Sequence, residues 1–315
     1  MKVFDKSAIM AALDVELALQ RLQEGFIAYS AGKVQVPPVQ TFSFTQANGD
    51  CCIKSAFIEG SDTFTVKLST GFYDNPGKGL DSNDGLMLVL SAHSGQPLAL
   101  LADQGWLTCM RTALAGRIVA KLLAPNQVEA IGILGTGMQA RLQLEQLMSV
   151  TDCRQVVVWG RSEPGLQRYH AFAETLGFAV RAVSEPQAVA EAANLIVCAT
   201  PSRTALLNPE WLQAGTHITA VGADCPGKQE LDPAVVASAQ RIIVDSAAQC
   251  SQYGEVSHAL KAGLITHDQL TEIGVVLAGH APGREAHEHL TLADLTGVAV
   301  QDAQIACSVF EKLVR

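Results

Sequence analysis

Apolar residues recur along the chain at different spacings, and the changes of spacing mark its parts. Ile9, Leu13, Leu17, Leu22 and Phe26 fall near one face of a 3.6-residue repeat. That spacing predicts one long helix over about 7–31, with Ser7 as N-cap and Gly32 just past its end. Pro37 and Pro38 then break the chain. Between 39 and 103 the short runs TFSF, CCIKSAFI, TFTVKLS, GLMLVLSA and PLALLA are separated by Gly, Asn and Asp, and include one long polar turn, GFYDNPGKGLDSNDG. Consecutive short strands without helices between them predict an antiparallel sheet. A helical pattern, WLTCMRTALAGRIVAKLLA, follows and stops at Pro125.

From residue 128 strands alternate with helices. EAIGILG is an apolar run of the kind buried on both faces, and QVVVWG, FAVRAV, NLIVCAT, THITAVG and RIIVDS continue as strands. MQARLQLEQLMSV and a stretch near 164–177 are helical. This alternation predicts a parallel, doubly wound sheet. The expected fold class is therefore α/β, with the doubly wound domain at 125–290. An α+β domain at 1–124 precedes it, and a tail helix at 291–315 returns to that first domain.

Composition narrows the function classes. The chain has 315 residues, of which 48% are hydrophobic and 17% charged, so it can bury a core and is neither disordered nor fibrous. A net charge of −9 argues against a nucleic-acid or anionic-membrane surface. No apolar run approaches the roughly 18 residues of a membrane span. The first residues carry acids inside their apolar pattern and lack a signal-peptide core, so a soluble, cytoplasmic protein is expected. Eight cysteines include no C-x-x-C pair and read as reduced, mostly buried small apolar residues, with a zinc site as the alternative. His280, His287, Glu288 and His289 match no standard metal spacing and read as a solvated loop. No metal is expected.

Gly135-Thr136-Gly137-Met138-Gln139-Ala140 fits G-x-G-x-x-G/A between a strand and a helix. In that context Gly135 permits a tight turn, Gly137 lets a pyrophosphate approach the backbone, and Ala140 permits close helix–sheet packing. The helix N-terminus adds partial positive charge. A plain β–α turn would use the same glycines for geometry alone. Dinucleotide sites that take NAD carry an acid near the end of the next strand to bind the ribose hydroxyls. Here Gly160, Arg161 and Ser162 stand there. Without the acid, and with an arginine able to fork onto a 2′-phosphate, NADP(H) is favoured and NAD(H) remains possible. A surface arginine without a ligand is the competing reading.

Three basic residues sit among apolar neighbours: Lys54 in CCIKSAFI, Lys67 in TFTVKLS and Arg111 in LTCMRTALAG. Taken singly, each could be a snorkelling side chain. Together with VKLSTGFYDNPGKGL, GLMLVLSAHSGQPLAL, GTGMQA, CATPSR, VGADCPGKQELD and DLTGVAVQDAQIA, these stretches resemble the ornithine cyclodeaminase/mu-crystallin family over nearly the whole chain. The resemblance implies a Rossmann domain joined to a substrate-binding and dimerisation domain, and a homodimer. It implies that Lys67 binds substrate and takes part in catalysis, that Arg111 holds the substrate carboxylate, and that Asp224 is the acidic catalytic residue. It also extends the cofactor contacts to Thr200, Pro201 and Val221. Asp224 follows THITAVG at a carboxyl end of the sheet, the edge where open α/β folds bind ligands, although an Asp ahead of Pro226 also suits a plain turn.

Lys54 separates the family's activities. Members similar to this chain that cyclise ornithine carry Glu there, and the alanine dehydrogenases carry Arg. A lysine sides with the readers of carboxylates. Against this, a basic residue that often follows the double proline is here Val39. The expected function is an NAD(P)H-dependent reductase of small 2-imino acids, of the ketimine, pyrroline-2-carboxylate or iminosuccinate type, reversible as an amino-acid dehydrogenase. A cyclodeaminase that makes proline and ammonia from ornithine, and a non-catalytic NADPH-binding protein like mu-crystallin, are the alternatives. Asp294 reads as a helix cap, although the resemblance brings its segment near the active site, and Glu255 and His258 receive no role.

Overall fold

In a computed structural model, residues 1–314 are described, except for the side chain of Pro76. The chain divides into two compact units, Met1–Arg111 with Val298–Arg315, and Thr112–Gly297.

The first unit is built on strands β1 (Lys2–Asp5), β2 (Val34–Gln35), β3 (Gln40–Phe44), β4 (Gly49–Ile58), β5 (Thr63–Phe72), β6 (Asn83–Ser91) and β7 (Pro97–Ala102). Their order is β1-β7-β6-β5-β4-β2, with β3 also pairing β4. All the pairings are antiparallel except β1 with β7. The five apolar runs of the sequence correspond to β3–β7. Strand β1 was not expected, because four residues ahead of a helix carry no alternation to read.

Where the spacing predicts one helix over 7–31 there are two, Lys6–Ala12 and Val15–Ser30. Leu13 is extended, and the Asp14 side chain accepts the Leu17 N–H, capping a new helix. Apolar periodicity runs across that break and hides it. Asp5, not Ser7, caps the first helix by accepting the Ala8 N–H, and Ser7 Oγ donates to the same carboxylate. Gly32 follows the second helix with φ +71, a conformation glycine adopts without strain.

The C-terminal helix, Ala299–Val314, packs against the helix Val15–Ser30 and across β4, β5 and β6. Gly25 permits the helix crossing: a Cβ there would stand 2.8 Å from Gln304 Cγ. The expected tail helix of 291–315 is thus shorter at its start, because Thr291–Asp294 is a strand and belongs to the second unit. Arg315, its expected end, lies outside the described residues.

The second unit carries β8 (Ile131–Leu134), β9 (Gln155–Trp159), β10 (Ala179–Val183), β11 (Leu195–Cys198), β12 (Arg203–Leu207), β13 (His217–Ala220), β14 (Gln229–Leu231), β15 (Arg241–Val244), β16 (Leu270–Glu272) and β17 (Thr291–Asp294). Eight form one sheet in the order β10-β9-β8-β11-β13-β17-β15-β16, and β12 pairs with β14 separately. Every pairing is parallel. The strands β8, β11, β13 and β17 are buried throughout, which is why they read as unbroken apolar runs. From β8 the chain goes one way to β9 and β10, then returns to β11 on the other side of β8. That reversal is the switch point at which α/β sheets bind ligands. Strands β14 and β16 are three residues each and too short to show in the pattern, and β12, exposed over its first three residues, carries no buried run. No described helix is long and apolar enough to cross a membrane.

Candidate active site

In the first unit, the register of the sheet sets Lys54 directly opposite Lys67, and Met87 and Leu101 continue that row across β6 and β7. All four are buried. Opposed residues stand about 4.5–5.5 Å apart at Cβ, so two ammonium-bearing chains share one small volume. Like charges so placed repel, and burial removes the water that would screen them. The counter-charge comes from the C-terminal helix. Lys67 Nζ lies 2.9 Å from Asp302 Oδ2, and Arg111 Nε donates to Asp302 Oδ1 at 2.9 Å. Arg111 also donates through Nη1 to Gln301 Oε1 at 2.9 Å. One carboxylate therefore bridges two buried cations.

The electrostatics follow from this crowding. Burial, with Arg111 and Lys54 nearby, lowers the Lys67 pKa to about 8 despite the opposing pull of Asp302. For Asp302, burial alone would raise the pKa, but Lys67, Arg111 and Lys54 together hold it below the usual carboxylate range. Asp103, which follows β7, is buried and raised to about 6, although it accepts the Leu107 N–H and feels Lys67.

In the second unit a cleft of about 810 Å³ opens at the switch point. Gly135, Thr136 and Gly137 line it, as do Gly160, Arg161 and Ser162 from the end of β9 and Thr200 and Pro201 from the end of β11. Of the other positions singled out in the sequence, Met138, Gln139 and Ala140 form the first turn of the helix Met138–Leu147. Ala140 is fully buried in the helix–sheet core, as its expected packing role requires. Val221 is buried behind β13, its N–H donating to the Cys198 carbonyl. None of Met138, Gln139, Ala140 and Val221 is among the residues that line the cleft.

The two turn glycines are needed for different reasons. Gly135 has φ +114, and a Cβ there would stand 2.6 Å from the Ala199 carbonyl oxygen, so the fold itself demands glycine. At Gly137 a Cβ would meet no protein atom within 4 Å. That glycine leaves open the floor of the cleft, where the helix Met138–Leu147 begins without a side-chain cap. A helix start without a side-chain cap, set on bare backbone, fits a pyrophosphate. Gly160 is also fixed by packing: a Cβ would stand 2.6 Å from Thr136 Cγ2, so an acidic side chain has no room at this position. The lining contains two arginines, Arg161 and Arg203, and no carboxylate.

Asp224 lies beyond β13 on an exposed turn, and its Oδ1 accepts from Lys228 Nζ at 2.7 Å. Beneath that edge of the sheet runs a set of buried acids. Glu230 takes the Thr200 N–H at 2.7 Å and the Gly222 N–H at 3.0 Å, tying together the loops after β11 and β13. Glu255 accepts the Glu230 and Leu231 N–H groups, and Asp294 accepts that of Val256. Burial raises Glu230 to about 8, Asp294 to about 7, and Glu255 upward as well. Glu255 and Asp294 thus brace backbone; Asp294 does not cap the tail helix, whose first residue is Ala299. His258 Nε2 lies 2.9 Å from the Lys228 carbonyl oxygen. The histidines near 280–289 form no metal cluster among the described residues.

Asp302, Arg203 and Glu230 carry no role in the sequence reading, although all three lie in stretches it quotes. The signal for Asp302 was an acid inside VAVQDAQIA, an otherwise uncharged helix face. A lone charge in such a run has to find a partner when buried.

The strand order and the glycine turn at the switch point define an α/β protein with a Rossmann-type sheet. The chain belongs to the ornithine cyclodeaminase/mu-crystallin family, whose model matches residues 2–315. It is 32% identical to an archaeal alanine dehydrogenase dimer with bound NAD, covering 100% of this chain and 96% of that one, with a TM-score of 0.91. It is 26% identical to the Thermococcus litoralis Δ1-pyrroline-2-carboxylate reductase in complex with NADH and L-proline, covering 100% and 98%, with a TM-score of 0.93. The iminosuccinate reductase of Paracoccus denitrificans in complex with NAD⁺ is 32% identical, covering 99% and 96%, with a TM-score of 0.90.

Proposed function

We propose that the protein is a nicotinamide-dependent reductase of small 2-imino acids, able to run in reverse as an amino-acid dehydrogenase. The observation that carries this reading is the buried group of Lys54, Lys67 and Arg111, a carboxylate-binding chemistry in a family whose relatives include three named imino- or amino-acid oxidoreductases. Lys67 and Arg111 hold the substrate carboxylate in charge-assisted hydrogen bonds, and Lys54 adds a third cation. Reduction adds a hydride to the imine carbon and a proton to its nitrogen. A bound nicotinamide supplies the hydride. Asp224 stabilises the protonated imine or passes its proton, and Lys67, lowered to about 8 by burial, assists as an acid.

In this reading the cofactor site takes the cleft residues Gly135–Gly137, Gly160–Ser162, Thr200 and Pro201, together with Met138–Ala140 of the helix that starts there and Val221 after β13. NADP(H) is the preferred cofactor. The absence of an acid at Gly160 and the two arginines in the lining support this, since a 2′-phosphate would meet no repulsion there. The protein works as a homodimer. β3, exposed at all five positions and carrying Phe42 and Phe44, is a face that such an assembly would cover.

The test is oxidation of NADPH and NADH, followed by absorbance, with pyrroline-2-carboxylate, piperideine-2-carboxylate, iminosuccinate, or pyruvate plus ammonia. Turnover with one of these supports the reading. Release of ammonia and proline from ornithine without net cofactor change would replace it with a cyclodeaminase. Tight NADPH binding without any turnover would leave a binding protein.

A further inference from the structure

Arg111 and Lys67 reach their shared volume from a helix and a strand, and neither is aimed by its own element alone. Asp302 faces both. Its two oxygens are divided, Oδ1 to Arg111 Nε and Oδ2 to Lys67 Nζ, each at 2.9 Å. Gln301, the preceding residue, accepts from Arg111 Nη1. The Nε edge and Nη1 of the guanidinium are therefore both fixed by the C-terminal helix, and the guanidinium plane with them. Asp302 is itself buried, so the pair of ion pairs has little water to compete with it.

We propose that Asp302 is a positioning residue for the carboxylate site: it aims Arg111 and keeps Lys67 protonated in the working pH range. This rests on the reading of Lys67 and Arg111 as the carboxylate anchor, and adds to it a residue that touches neither substrate nor cofactor. The charged groups facing Lys67 are Lys54 from β4, Arg111 from the helix Trp106–Leu123, Asp103 after β7, and Asp302 from the C-terminal helix. β6 contributes the apolar Met87 opposite it. Burial, Lys54 and Arg111 all favour the neutral amine. Asp302 opposes them at contact distance.

A neutral residue at 302 would leave Lys54 and Arg111 acting on Lys67 without that opposition. Lys67 would then lose its proton at lower pH, and carboxylate binding would fail earlier on the alkaline side. Were Asp302 only a packing element, the loss would lower the melting temperature but leave the pH at which binding fails unmoved.

The experiment compares wild type, Asp302→Asn and Asp302→Glu. Lys67 is titrated by NMR on protein labelled at lysine Cε, and KM for pyrroline-2-carboxylate is measured from pH 6 to 10. In Asp302→Asn the Lys67 midpoint falls by roughly one unit or more, and KM rises on the order of tenfold at neutral pH. Cofactor affinity stays as in wild type, which confirms the fold. Asp302→Glu restores the alkaline limb. Asp302→Ser, smaller and equally neutral, stands in if the Asn variant does not fold. A folded neutral variant with an unmoved Lys67 midpoint and alkaline limb overturns the proposal. If wild type reduces no imino acid, the functional reading fails, and the Lys67 titration still decides whether Asp302 holds its charge.

Discussion

The two candidate binding regions are made by opposite means. The cleft of the second unit is made by what is missing: Gly135, Gly137 and Gly160 bring bare backbone and the start of a helix to the surface. The cationic site of the first unit is made by side chains, with Lys54, Lys67, Arg111 and Asp302 converging from four elements into a buried volume. Backbone sites are cheap to keep, since hydrogen-bond donors at a helix start need partners in any case. A buried cluster of charge is costly to desolvate and stands only because its members pair. A substitution in the cleft should therefore act through shape, and one in the cluster through charge.

The largest effect is expected where charge touches the reaction. Asp224→Asn should keep cofactor affinity and lose roughly 10²–10⁴ in kcat. Steady-state kinetics beside a cofactor titration would check it, and unchanged turnover would remove Asp224 from the mechanism. Next comes Lys67→Met, expected to lower kcat/KM for imino acids by about a hundredfold, the worth of a hydrogen bond to a charged group. Cofactor binding should again stay unmoved.

The glycines sharpen the comparison. Gly137→Val has room against the protein, so the melting temperature should hold while cofactor affinity falls about tenfold or more. Gly135→Val should instead fold poorly, because a Cβ would strike the Ala199 carbonyl and φ is positive. Equal effects of the two would undo the distinction between a glycine kept for the ligand and one kept for the fold. A smaller change is expected at Arg161→Ala, which should weaken NADPH more than NADH by roughly tenfold. An equal loss for both would sink the 2′-phosphate argument.

This contrast also explains what could be read from the sequence. The cleft lies in short contiguous stretches, so its glycine spacing, the strand before it and the helix after it were visible together. The parallel sheet was visible because strands buried on both faces are unbroken apolar runs. The cluster is spread over nearly 250 residues, from Lys54 to Asp302. Its three basic members stood out among apolar neighbours, yet nothing local links them to an acid in the last helix, and the register of β4 on β5 appears only in the folded sheet. The break at Leu13–Asp14 was missed for a related reason: apolar spacing continued through it, and a capping aspartate looks like any exposed acid.

The smallest effect concerns stability. Burial lifts the folded Glu230 and Asp294 carboxyls from the ordinary carboxylate range to about 8 and about 7. Each group binds its proton more tightly folded than unfolded between those limits. Their contribution is therefore complete below the unfolded values and is lost as pH rises towards 8. Thermal unfolding should show a falling midpoint from about pH 5 to pH 8, and Glu230→Gln should flatten that slope. A slope unchanged by the substitution would mean that Glu230 is ionised throughout.

The central claim is that a cationic carboxylate site and a nicotinamide act together on imino acids. The most direct measurement is the absorbance of NADPH and NADH at fixed protein concentration, with each imino acid of the panel added in turn. The account predicts oxidation that depends on the imino acid, is faster with NADPH, and fades above about pH 8 as Lys67 loses its proton. Cofactor that stays reduced with every member of the panel, while ornithine yields proline and ammonia, would contradict it.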